Sequence, residues 1–309
     1  MPSYSCTVDA GIHPGIRLDR YISEYLKILS RSQIKARRLE SRINGKNVKP
    51  SRLLKGGEFL ELSWIEAEAP FLVPEDLPLE IIYEDNRVII VNKAQGMVVH
   101  PGAGNWRGTL ANALLYRNIK KRENNTGIIA GQGLRPGIVH RLDKDTSGLI
   151  IAAWDDEALA FLSNQFKARK VRKSYAALVH GCPKAVSGCI DKRIVRSRRD
   201  RKIFTVSESE GRPSVTYYRL VRAYKNFSLL LLRPKTGRTH QIRVHLKYLG
   251  NPVIGDSLYC RDAGSHKNAT LMLHAKRLSL VLPESENGNK KPFTFRTSLP
   301  GRFFDIIGS

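Results

Sequence analysis

The chain has 309 residues, of which 41% are hydrophobic, enough for one large domain or two unequal ones with a sizeable core. Its 52 Lys and Arg against 28 Asp and Glu leave a formal charge of +24, which points to a polyanionic partner, nucleic acid before an acidic membrane surface. No apolar run approaches the roughly 20 residues that span a bilayer, so no membrane segment is expected. The four cysteines, Cys6, Cys182, Cys189 and Cys260, form no Cys-x-x-Cys pair, and no His cluster has zinc spacing. They read as free thiols in a reducing compartment. The N-terminus, Ser3 to Asp9, lacks an apolar signal core, so a cytoplasmic protein is expected.

In chain order, Leu18, Ile22, Leu26 and Leu29 recur at helical spacing. Ser30 offers an N-cap to a second helix running through Ile34 and Leu39. Asn44-Gly45 predicts a turn, and Phe59 to Leu62 a closing strand. Between Arg31 and Lys55 lie nine basic residues and a single acid, Glu40. Basic side chains spread over a helix–turn–strand unit suit a phosphate backbone, with a solvated basic face as the alternative. Residues 1–66 therefore read as a small α/β module with an N-terminal extension. Residues 67–78, with Pro70, Pro74 and Pro78, read as a linker, and residues 79–309 as the main domain.

In the main domain, Arg87 to Val91 predicts a buried strand, and residues 118–134 a loop. Leu149 to Ala153 predicts another buried strand. Asp155 and Asp156 can cap a helix with Leu159, Leu162 and Phe166 inward. Tyr175–Val179, Ser214–Tyr218 and Ser228–Leu232 read as strands. Thr239 to Leu249 reads as a helix with Ile242, Leu246 and Leu249 inward, stopped by Gly250. That spacing puts Arg243 at the border of the buried face. Ala269 to Leu282 is a further strand. Many strands, few helices and no βαβ rhythm argue for an α+β fold. Lys192 to Lys202 holds seven basic side chains in eleven positions, either a solvated face or an RNA contact.

The stretch Gly137-Ile-Val-His-Arg-Leu-Asp-Lys-Asp-Thr-Ser-Gly-Leu149 sets Asp143 at a turn just before a buried strand. An aspartate there can face a cleft as nucleophile or base, or can merely cap backbone groups. This stretch resembles the His-Arg-Leu-Asp motif of the RluA-type pseudouridine synthases, which turn uridine in RNA into its carbon-linked isomer. Asn92-Lys93, Gly96 to Gly102, Gly108 to Leu110, Lys173 to Val179, Thr236 to His245, Gly250 to Asp256 and Leu273 to Ala275 resemble further motifs of that family, in its order. The resemblance covers roughly residues 78–305. Residues 16–64 resemble the alpha-L RNA-binding module of a ribosomal small-subunit protein. One departure is Asn92-Lys-Ala-Gln-Gly96, where the family commonly has Asn-Lys-Pro-Ala-Gly; without the proline a different local turn is expected.

The resemblance implies a central mixed, mostly antiparallel sheet with a catalytic cleft across it; the isomerisation needs no metal or other cofactor, and a monomer is expected. It implies Asp143 as the essential carboxylate, attacking the glycosidic carbon or removing a sugar proton, with Asp145 bracing the turn. It places Tyr175 at the uracil, stacking or moving a proton, where a core tyrosine with its hydroxyl at an edge is the plainer reading. Arg243 would salt-bridge the catalytic carboxylate, where a solvated helix arginine is the plainer reading. Arg141 would fill the space left by a flipped base, or else pair with Asp143 or Asp145. His140, Arg238, Thr239, His240 and Gln241 would contact substrate, Arg238 through phosphate, although His140 reads more as structural than catalytic. The implied substrate is large-subunit ribosomal RNA, with transfer RNA as the enzymatic alternative. From another class, a non-catalytic RNA-binding or ribosome-assembly factor remains.

Overall fold

The computed structural model describes residues 2–12, 15–65, 72–102, 104–123, 136–260, 266, 268–283 and 291–308. The chain divides into two units, Met1–Phe71 and Leu72–Ser309.

In the first unit, β1 (Ser3–Thr7), β2 (Glu40–Ile43), β3 (Lys46–Asn47) and β4 (Phe59–Ser63) form an antiparallel sheet in the order β1-β4-β2-β3. Asn44 and Gly45, at φ +48° and +75°, make the tight β2–β3 turn that Asn-Gly favours. The helical run from Leu18 is shorter than its spacing suggests. α1 (Leu18–Arg20) passes directly into a π-helical turn, Tyr21–Tyr25. α2 (Arg31–Ala36) begins at the expected Ser30, in a capping box with Gln33. It stops before Leu39 because Arg38 turns left-handed, at φ +47°. Leu18, Ile22, Leu29 and Ile34 pack with Leu60, Leu62 and Trp64 in one core. β1 lies in what was expected to be an extension. Its residues are nearly all exposed, so no apolar alternation announces it; pairing with β4 makes it a strand.

The second unit runs β5 (Glu80–Glu84), β6 (Val88–Lys93), α3 (Leu110–Glu123), β7 (Ser147–Ala153), α4 (Asp156–Lys167), β8 (Arg172–His180) and β9 (Ser187–Arg196). It continues through β10 (Phe204–Ser207), β11 (Arg212–Ala223), β12 (Phe227–Pro234), α5 (Gln241–Tyr248), β13 (Leu273–Leu280), β14 (Phe293–Arg296) and α6 (Gly301–Ile307). Its ten strands form one sheet, ordered β10-β9-β11-β12-β8-β13-β7-β6-β5, with β14 beside β13. Among the described strands only β13 and β7 pair in parallel. The fold is α+β, with a mixed, mostly antiparallel sheet. Of the two candidate caps of α4, Asp155 serves, accepting from Ala158 N at 2.8 Å.

Three expectations need correcting. Residues 118–123 end α3 and do not begin a loop; the rest of the expected loop, 124–134, lies outside the described residues. Leu110, Ala111 and Leu114 hold that helix on Ile89, Val91, Ile150 and Ala152, and tertiary packing carries the helix into its Lys-rich end. Residues 72–78 lack regular structure but are tied to the second unit. Leu72 packs on that same core, and the Asn112 amide donates to Val73 O at 2.7 Å. Arg243 does not lie at a border: the first six residues of α5, Gln241 to Leu246, are all buried. The basic run 192–202 straddles β9 and its hairpin. There Lys192 pairs with Glu208 at 2.6 Å and Arg198 with Glu210 at 2.9 Å. All four cysteines are free. No described helix is long and apolar enough to cross a membrane.

Candidate active site

The Asp143 loop is fastened before it reaches β7. Gly137, at φ +64°, lies so close to Ala153 that a Cβ would meet its carbonyl oxygen at 1.8 Å. Only glycine allows the two backbones to bond here, Ala153 N donating to Gly137 O at 2.9 Å. His140 Nε2 accepts from Ile151 N at 3.1 Å, and the ring stacks on Phe166 at 4.6 Å between centroids. Burial, and then the charge of Lys173, pull the His140 imidazolium down to about pH 3, so the ring stays a neutral acceptor. His140 is therefore a loop anchor, outside the cavity lining. Leu142 enters the core, while its neighbours Arg141 and Asp143 stay outside it, Arg141 exposed and Asp143 half-buried.

The turn after Asp143 is held by Lys93 and Gln95. Lys93, wholly buried, donates through Nζ to Ala94 O, Met97 O and Lys144 O at 2.8, 2.9 and 3.1 Å. Burial pulls its ammonium down to about 8, against the opposing charges of Asp145 and Asp143. Gln95 donates to Asp145 O and Leu271 O, each at 2.9 Å, and accepts from Thr270 Oγ1 at 2.9 Å. This glutamine, in the segment that lacks the family's proline, ties the turn by side-chain bonds. Asp145 itself is exposed, and the bracing comes from Lys93 and Gln95.

Arg243 reaches Asp143 from α5. Its Nε and Nη2 donate to Asp256 Oδ2 and Oδ1 at 2.7 Å each, and Nη1 lies 3.5 Å from Asp143 Oδ2. Burial alone would lower the guanidinium pKa, but Asp256 and then Asp143 hold it above the ordinary arginine value. Asp256 is sealed from solvent while the Asp143 side chain is 19% exposed, so only Asp143 can meet a ligand. Tyr259 lies under the guanidinium at 5.1 Å, and its hydroxyl is 2.8 Å from His240 Nδ1. His240, left-handed at φ +55°, turns the chain into α5. The Gln241 amide is fully used within the protein. It accepts from Thr236 Oγ1 and Arg238 N and donates to Val215 O and Thr216 Oγ1, which pins the helix to β11.

These groups line a cavity of about 100 Å³. Asp143, Tyr175 and Arg243 meet there, with Arg141, Arg238, Thr239, His240 and Gln241, on a floor of Leu142, Ile242 and Leu273. Lys173, from the start of β8, lines it too. Burial, then the charge of Asp143, push the Tyr175 hydroxyl well above its ordinary value, so it is a neutral phenol at physiological pH. The cavity is small beside the ≈ 300–1,000 Å³ of typical ligand pockets. A carboxylate held by arginine stands at its wall, with a phenol beside it. Such a carboxylate can attack an electrophilic carbon or take a proton.

Residues 87–248 match the family described as RNA pseudouridylate synthase. The chain is 43% identical over 300 residues to ribosomal large subunit pseudouridine synthase D of Borreliella burgdorferi, covering 95% of this chain and 89% of that one. It is 44% identical over 249 residues to an uncharacterized RNA pseudouridine synthase of Chlorobaculum parvum, covering 79% and 75%. The solved structure of human RNA pseudouridylate synthase domain containing 1 superposes with a TM-score of 0.54 at 26% identity, covering 76% of this chain and 96% of that one. The chain belongs to the RNA pseudouridylate synthase family, isomerases that convert uridine in RNA to pseudouridine.

Proposed function

We propose that this enzyme modifies specific uridines of large-subunit ribosomal RNA, with Asp143 as its essential carboxylate. The substrate class is supported by the name of the Borreliella burgdorferi relative, aligned over nearly the whole of this chain. The observation that carries the catalytic reading is the pairing of Arg243 with both Asp256 and Asp143, which aims one solvent-reaching carboxylate into the cavity beside Tyr175. In this reading the target uridine leaves its stack and enters the cavity, and Arg141, exposed at the rim, occupies the space left behind. Asp143 attacks the glycosidic carbon or removes a sugar proton. The C1′–N1 bond breaks and the freed uracil turns against Tyr175. Its C5 joins C1′ as the Asp143 ester breaks or the sugar proton returns; C5 then loses its proton and N1 takes one up.

The first unit acts as an RNA clamp. Lys35, Arg38, Lys46, Lys49 and Lys55 are exposed and hold no carboxylate among the described residues, a distribution suited to phosphates. The protein works as a cytoplasmic monomer. Mapping pseudouridines in cellular RNA with and without this protein tests the substrate. Sites in large-subunit RNA should vanish on deletion and return with the wild-type chain but not with Asp143→Asn. Loss confined to transfer RNA would move the substrate, and no loss anywhere would sink the reading.

A further inference from the structure

A second cavity, of about 1170 Å³, lies on the other face of the same sheet. Successive side chains of a strand point to opposite faces. Tyr175 points into the catalytic cavity, so its neighbour Ser174 points away, and Ser174 stands opposite Arg277. Arg233 follows Leu232, the cross-strand partner of Tyr175, and itself stands opposite Tyr217. Arg277, Arg233 and Tyr217 therefore share the back face. Arg172, two positions from Ser174 along β8, Arg219, two from Tyr217 along β11, and Lys235, just past the end of β12, join them in lining the cavity.

The charge of this face is uncompensated. Its lining contains no Asp or Glu among the described residues. Elsewhere in the unit Arg87, Arg117, Lys121, Lys192, Arg198 and Arg243 each hold a carboxylate, but none of these five cations does among the described residues. Like charges gathered on one sheet face are destabilising, and the fold keeps them together. Tyr217 is 39% exposed, with Lys235 Nζ 5.3 Å from its ring centroid. An exposed aromatic ring on a basic track is the composition that holds a nucleic-acid strand, phosphates on the cations and a base on the ring. The two cavities share Lys173 and Pro234, at the start of β8 and the end of β12. A strand leaving the catalytic cavity can pass over this lip onto the back face.

We propose that the back face is a second RNA-binding surface, which grips the backbone of the segment flanking the target uridine and stacks an unpaired base on Tyr217. The proposal rests on the chain's action on RNA and extends it to a surface away from the reacting base. Its occupant is RNA and not an acidic protein, because the groove shares Lys173 and Pro234 with the cavity that takes the target uridine.

The test compares the full chain with Arg219→Glu/Arg233→Glu, two exposed positions outside the catalytic cavity, and with Tyr217→Ala. Each is measured on a ribosomal RNA fragment with long flanks and on the same target trimmed to a short stem-loop. The charge reversal should raise Kd for the long RNA at least tenfold and lower its salt slope by about 1–2. It should leave Kd and the single-turnover rate on the short RNA unchanged. Tyr217→Ala should weaken the long RNA about tenfold with its salt slope unchanged. An unaltered Kd and slope on the long RNA would overturn the proposal and favour a protein occupant. Equal losses on both RNAs, or a slower rate on the short one, would overturn it by showing no separate surface. Failure of the wild-type chain to modify either RNA would instead sink the proposed substrate, while leaving the binding comparison readable.

Discussion

Arg243 joins two carboxylates of unlike exposure, locked to buried Asp256 by two bonds of 2.7 Å and standing 3.5 Å from solvent-reaching Asp143. A lysine ammonium is a single point donor and cannot keep the two-bond grip on Asp256 while aiming a separate nitrogen at Asp143. Arg243→Lys should lower kcat roughly 10²-fold with little change in RNA Kd. Asp256→Asn should lower kcat in the same direction and destabilise the fold by about 3–5 kcal/mol, since it leaves a buried guanidinium underpaired. Single-turnover rates and urea unfolding check both. Normal rates in Arg243→Lys would refute the positioning role.

Asp143→Asn should reduce isomerisation on the order of 10⁴-fold or more, with RNA affinity nearly unchanged. Asp145→Asn should keep substantial activity, because Lys93 and Gln95 hold the turn through backbone carbonyls. Parallel rate and binding assays decide this. The reverse pattern would reassign the essential carboxylate.

Arg141→Ala should slow a structured RNA more than an unstructured strand with the same target. Extruding a stacked base costs about a few kcal/mol, and an unpaired base costs least. Arg141 is exposed while Arg243 already engages Asp143, so orienting the carboxylate does not call for it. Equal slowing of the two substrates would reject the flipping role.

Removal of residues 1–71 should weaken RNA binding and flatten its salt dependence, because several unpaired cations of the first unit go with it. Chemistry at saturating RNA should survive, since the catalytic cavity is built wholly within the second unit. Binding curves at two salt concentrations give the slopes. Identical slopes for full-length and truncated chains would refute the clamp.

Stability should fall as pH drops below about 6.5. Burial first, with neighbouring cations for His140 and His274, lowers His140 to about 3 and His245 and His274 to about 4, from 6.5. Below 6.5 the unfolded chain binds these protons and the folded chain does not, so unfolding is favoured until the pH reaches the folded values. Urea midpoints at pH 7.5, 6.0 and 5.0 should decline in that order. His140→Gln should make the decline shallower by about one proton's worth, and an unchanged slope would place that titration elsewhere.

Much of the second unit is legible in the chain because its signals are local. The apolar run Leu149 to Ala153, the Asp155 cap and the Thr239–Leu249 periodicity each report a structure that the neighbouring residues suffice to form. The motifs single out Asp143, Tyr175 and Arg243, which the structure gathers around one cavity, and they also mark the family. What only the tertiary structure decided was pairing across distance. β1 is a strand because β4 is beside it, though its exposed residues carry no pattern. Helix periodicity placed Arg243 at a border; Asp256, 13 residues later, makes it a buried residue by satisfying two of its donors. Lys93 and Gln95 lie about 50 residues before the turn they hold, and no local rule links them. The back-face row Tyr217, Arg233, Arg277 comes from three strands, and strand register alone sets those side chains on one face. Local propensity writes the elements, and burial of polar groups far apart in sequence decides which of them meet.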